Sequence, residues 1–175
     1  MRAIPLRAQL GLVGAGYALV LAAAAAMVFT RYLLYVEHPQ DAAAAGGMYA
    51  FGDVMLEVLI ACMLLVPTFV LVLVIRKHEN LSITYSKVML GLSLTSPICL
   101  GVLSIPAVNQ GSWALGEIFM GRLFVSPVVV VGLVFSRLLA QFDRAKRWTL
   151  YALLIEVGTL VLMGALFLLM VVKRG

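Results

Sequence analysis

Five long apolar runs dominate the chain, separated by shorter polar or punctuated stretches. They cover about residues 8–29, 54–75, 88–108, 123–140 and 149–172. Each approaches the ~20 residues that an α-helix needs to cross ~30 Å of hydrocarbon. The pattern predicts an all-α membrane protein, a five-transmembrane-helix bundle forming one polytopic domain over residues 1–175. The fourth run is the shortest, with only residues 123–136 between Arg122 and Arg137. Both arginines lie near its ends, where long side chains can extend to headgroup level.

Composition agrees. The 175 residues are 63% hydrophobic and 12% charged, whereas a soluble domain carries about 25% charge. A formal net charge of +5 would suggest nucleic acid in a soluble chain. Here the bases flank apolar runs, which is how orientation is set, and no Lys/Arg run is interleaved with aromatics as a nucleic-acid surface would be. The expected partner is the lipid bilayer, not nucleic acid.

With the N-terminus cytoplasmic, the inner ends carry Arg2, Arg7, Arg76, Lys77, Lys87, Arg137, Arg144, Lys146 and Arg147. The outer ends carry only Arg31, Arg122, Lys173 and Arg174. The bias predicts a cytoplasmic N-terminus and an outer C-terminus in a bacterial inner membrane. The basic tail Lys173-Arg174 runs against the bias. The first run also resembles a signal peptide, but it is longer than a signal core and is expected to stay as a helix.

Between the first two runs, residues 30–52 contain Pro39, Gly46, Gly47 and Gly52 and read as a loop, with a short interfacial helix at most. Its Tyr32, Tyr35, Tyr49 and Phe51 suit the headgroup level. The stretch RKHENLSITYSK, residues 76–87, reads as a short polar connection. Within the first run Gly14, Ala18, Ala22 and Ala26 recur every fourth residue, giving a small-residue face on which a second helix can approach closely. That helix belongs either to this chain or to a homo-oligomer or membrane-protein partner. Pro67, Pro97 and Pro127 fall inside the second, third and fourth runs and predict kinks. Pro97 withholds a backbone donor close to Ser93, and Ser93, Ser96 and Ser104 lie near one face.

A few charges stand where lipid excludes them. Asp53 and Glu57, four apart at the outer end of the second run, share a helix face, and Arg122 is their candidate counter-ion. Glu156 lies deeper, seven residues past Thr149 and so roughly 10 Å along the helix. An acid near a helix centre costs about 2.5–3.5 kcal/mol on insertion scales, so Glu156 is expected to face protein or water. The short connection before the fifth run makes helices four and five antiparallel neighbours. That places Glu156 level with Gly132, with Arg137 its nearest strong partner if that side chain turns inward rather than towards headgroups.

Catalytic and cofactor chemistry finds little support. No GxSxG, HExxH, GxxxxGKS or DxD arrangement is present. Cys62 and Cys99 are far apart and inside apolar runs, and His38 and His78 lie in connections, so neither a metal nor a haem is expected. The chain therefore reads as an accessory or interaction component of a membrane assembly. A small-solute or proton-coupled transporter using Glu156 is the alternative, and an intramembrane enzyme is a weaker one.

Overall fold

The computed structural model describes residues 5–38, 40, 44–105 and 113–174. Five helices account for almost all of them: α1 (Leu6–Glu37), α2 (Gly46–Ile75), α3 (Glu79–Leu103), α4 (Trp113–Leu139) and α5 (Asp143–Arg174). There is no strand among the described residues. The helices hold 25–32 residues, roughly 38–48 Å at 1.5 Å per residue. All five contain stretches long and apolar enough to cross a membrane.

Each expected run lies within one helix, apart from Ser104 and Ile105, just past α3, residues 106–108, which fall outside the described residues, and Ala140, just past α4. The helices extend well beyond the oil. α1 continues through Arg31, Tyr32 and Tyr35, and α2 starts at Gly46, so much of the expected loop 30–52 is helical. Pro39 and residues 41–43 of that loop lie outside the described residues. The expected connection 76–87 shrinks to Arg76–His78, because α3 begins at Glu79, an acid in the first turn where the helix dipole favours it. Pro67, Pro97 and Pro127 all sit inside continuous helices.

The chain divides into two compact units, residues 1–74 and 75–175. In the first, α1 and α2 form an antiparallel hairpin. Tyr17 Oη and Thr68 Oγ1 are 2.7 Å apart at one level, and Arg31 meets Asp53 at another. The covered face of α1 carries Val13, Gly16, Val20, Ala24, Met27 and Arg31 at steps of three and four. A methyl group on Gly16 would stand 3.4 Å from Pro67 Cβ, an ordinary close contact. Gly14, Ala18, Ala22 and Ala26 fall on the exposed face instead, and a Cβ on Gly14 would meet nothing within 4 Å. Within the hairpin the ladder is therefore not the packing face: Val13 and Val20 bury more apolar surface than alanines could.

In the second unit α3, α4 and α5 pack together, with α3 and α5 in the most extensive contact. Tyr85 with Ser136, and Ser96 with Ser126, pair α3 and α4 in antiparallel register. α5 runs parallel to α3. The seam between them is small and polar. α5 contributes Ala145, Thr149, Ala152, Glu156 and Thr159, all buried, at alternating steps of four and three. α3 contributes Ser82, Ser86, Ser93, Ser96 and Cys99, and α4 contributes Leu123, Ser126, Leu133 and Ser136. Large apolar side chains point the other way, as with Ile98 at 61% and Leu138 at 74% exposure. Oil outside and hydroxyls inside is the arrangement a hydrocarbon solvent favours, where small seam residues let backbones approach and polar groups bond between helices.

Candidate functional site

Serine and threonine in a helix can bond the carbonyl one turn back, and two hydroxyl layers in the seam are built this way. In the layer nearer the start of α3, Ser86 donates to Ser82 O (2.9 Å) and Ser136 to Gly132 O (2.8 Å). The same hydroxyls bridge helices: Thr149 Oγ1 lies 3.1 Å from Ser86 Oγ, and Tyr85 Oη lies 3.0 Å from Ser136 Oγ.

The second layer holds the charges. Arg122 of α4 turns its guanidinium into the seam and forms an ion pair with Glu156 Oε1. Three further acceptors cradle it. Nε donates to Thr95 Oγ1 (2.9 Å), Nη1 to Ser126 Oγ (3.0 Å) and Nη2 to Leu92 O (3.2 Å). Ser96 Oγ in turn lies 3.1 Å from Ser126 Oγ. Both of these serines precede a proline, in the dipeptides Ser96-Pro97 and Ser126-Pro127. The prolines withhold amide protons, so the carbonyls of Ser93 and Leu123 lose their usual helical donors beside the ion pair. Glu156 is wholly buried, whereas the Arg122 side chain keeps 20% of its surface exposed. Glu156 Oε2 and Ser93 Oγ have no hydrogen-bond partner.

The structure thus redistributes the sequence-predicted residues. Ser93, Ser96 and Glu156 do come together. Arg137 is not the partner of Glu156: its Nη1 reaches the Lys146 carbonyl at 3.4 Å. Ser104 stands outside the cluster, exposed and bonded to Leu100 O at 2.9 Å. Arg122, the expected counter-ion of Asp53 and Glu57, gives its donors to groups of α3, α4 and α5.

Asp53 pairs instead with Arg31, at 2.8 Å from Nε to Oδ1, and also accepts from Tyr35 Oη. Arg31 Nη2 donates to Tyr49 O at 2.9 Å, and the guanidinium lies 4.7 Å and 5.1 Å from the Tyr49 and Tyr35 ring centres. Gly52 makes room for it, since a Cβ there would fall 2.8 Å from Arg31 Nη2. Glu57 is half-buried one turn further along α2.

Ser82, Ser86, Thr95, Ser126, Thr149 and Thr159 escaped the reading of apolar runs. Their signal was the alternating three-and-four spacing of small and polar residues, clearest in α5, where every seam position from Ala145 to Thr159 is Ala, Thr or Glu.

Fold and site together define an all-helical protein with five helices suited to crossing a membrane, three of them sharing a polar seam with one buried ion pair. Compared with known proteins, the chain matches no family model, no curated protein and no solved structure.

Proposed function

We propose that the protein is a multi-pass component of a bacterial inner membrane, with its N-terminus cytoplasmic and its C-terminus outside. It serves there as an accessory or interaction subunit of a membrane assembly. The three-helix unit is the rigid part, with Arg122–Glu156 as its lock, and α1 presents the contact face.

The observation that carries this reading is the outward turn of the Gly14, Ala18, Ala22 and Ala26 ladder. Small residues at this spacing favour close helix–helix approach in lipid, and within the hairpin α2 leaves Gly14 uncovered. The partner is a second copy or another membrane helix. Single cysteines at Ala18 and Ala22 are expected to give crosslinked species, and Gly14→Leu with Ala18→Leu to abolish them. A strictly monomeric mass in native lipid, with no crosslink, would sink the proposal.

A second reading, small-solute or proton-coupled transport using Glu156, draws support from the unpartnered Glu156 Oε2 and Ser93 Oγ. Against it, Met89 and Ala152 occupy the seam between the two hydroxyl layers, and Ala152 is fully buried. Polar contacts are thus broken over ~10 Å of helix rise. Its test is pH-dependent flux in vesicles, which Glu156→Gln must abolish.

A further inference from the structure

The groove between α3 and α5 carries, near the starts of both helices, bases that have no acid to pair with. Ser86 and Thr149 meet across the seam, and their chain neighbours Lys87 and Trp148 stand beside that contact. Tyr85, one residue before Ser86, reaches α4, so Lys87, one residue after it, turns to the opposite flank. There its Nζ lies 6.0 Å from the centre of the Trp148 ring, within cation–π range. Arg144 is four residues before Trp148 and so shares this face of α5, one turn nearer the helix start.

Lys87 and Arg144 are both exposed, and among the described residues neither forms an ion pair. The Trp148 indole N–H also meets no acceptor among them. The nearest acids are engaged or distant. Asp143 pairs with Lys146 at 3.9 Å, and Glu79 stands two turns before Lys87.

Further along the same flank the groove turns apolar. On α5 the exposed Tyr151 meets Trp148 edge-on, with ring centres 6.1 Å apart. On α3, Leu94 and Ile98 follow Lys87 by seven and eleven residues, on the same face, and both are exposed. Gly91 leaves a notch between them and Lys87, since a Cβ there would meet nothing within 4 Å.

Cations, then interfacial aromatics, then exposed aliphatics: this is the chemical order of one phospholipid molecule from headgroup to acyl chain. We propose that the groove binds an acidic phospholipid, its phosphate held by Lys87, Arg144 and the Trp148 indole N–H and its acyl chain laid along Leu94 and Ile98. Unpaired bases select the lipid. A zwitterionic headgroup brings its own cation to the site, whereas an acidic one brings only the charge that Lys87 and Arg144 lack.

The inference rests on these helices crossing a bilayer, as proposed above, and not on which end is cytoplasmic. Trp148 itself reports the outcome. The chain has two tryptophans, so in a whole chain carrying Trp113→Phe the fluorescence comes from Trp148 alone. It is reconstituted in zwitterionic vesicles in which a fixed fraction of the lipid is brominated near the top of its acyl chains. Brominated phosphatidylglycerol should quench Trp148 well beyond brominated phosphatidylcholine at the same fraction. Lys87→Gln with Arg144→Gln should bring the two affinities together, a loss of roughly 25-fold at about fivefold per base. Arg137→Gln with Lys146→Gln removes the same charge from the flank of α5 that meets α4, and should leave the preference in place.

Equal quenching by the two lipids overturns the proposal. So does an equal loss in both double variants, which would mean diffuse attraction by the basic end. Displacement by glycerol phosphate in solution would assign the groove to a soluble anion and overturn it as well. Absence of quenching by either lipid registers separately: Trp148 would then lie outside the bilayer, and the membrane-spanning reading itself would fail.

Discussion

Arg122 shows why single-residue rules mislead at the end of an apolar run. An arginine within a turn of the headgroups usually extends outward, since that keeps its charge in water. Here the inward direction offers three neutral acceptors and a carboxylate, and the guanidinium turns in. That Glu156 is sheltered from lipid followed from the cost of burying an acid. Its partner did not, because the choice between Arg122 and Arg137 depends on hydroxyls brought in by α3.

The pair makes an energetic prediction. Arg122→Met leaves Glu156 buried and unpaired and should cost about 3–5 kcal/mol. Glu156→Leu leaves Arg122 cradled and partly exposed and should cost less. The double variant should be more stable than the sum of the two losses implies. Reversible unfolding in mixed micelles measures all three, and strict additivity would show that the two side chains are not coupled.

For the helices, the sequence revealed number and placement better than length or facing. Apolar runs mark the middle of each helix, where lipid and neighbouring helices make the same demand. They fail at the ends, where Glu79 to Lys87 looks like a loop because it is polar. In the structure Ser82 and Ser86 are polar because they face the seam. The ladder on α1 was visible as a pattern, but not the direction it faces, since spacing alone cannot rank it against the adjacent Val13 and Val20 face.

Close approach of α3 and α5 depends on the fully buried Ala145 and Ala152. Ala152→Leu should force them apart and cost about 1–3 kcal/mol or more by overpacking. Leu154→Ala, at a position 59% exposed, should change stability by less than about 0.5 kcal/mol. Equal effects of the two substitutions would show that the seam is not where the unit is held together.

Across the molecule, each of the two units holds an arginine–carboxylate pair: Arg31–Asp53 in the hairpin, clasped by tyrosines, and Arg122–Glu156 in the three-helix unit. The distribution of all 13 Lys and Arg residues, these two arginines included, underlies the proposed orientation. In a chain lacking Cys62 and Cys99, a cysteine at Arg147 should resist a membrane-impermeant thiol reagent applied from outside, and one at Lys173 should react. The reverse result would invert the topology.

The separation of Arg122 and Glu156 along the chain also bears on how the protein is made. Synthesis from the N-terminus completes Arg122 before Glu156, which lies 34 residues further on, has been added. On the five-span reading, α4 therefore emerges as the shortest apolar run, carrying a cation whose counter-charge is still in the ribosome. Until then Thr95, Ser126 and the Leu92 carbonyl, all made earlier, are the acceptors within its reach, and the ion pair with α5 is the last contact of the charged layer to form.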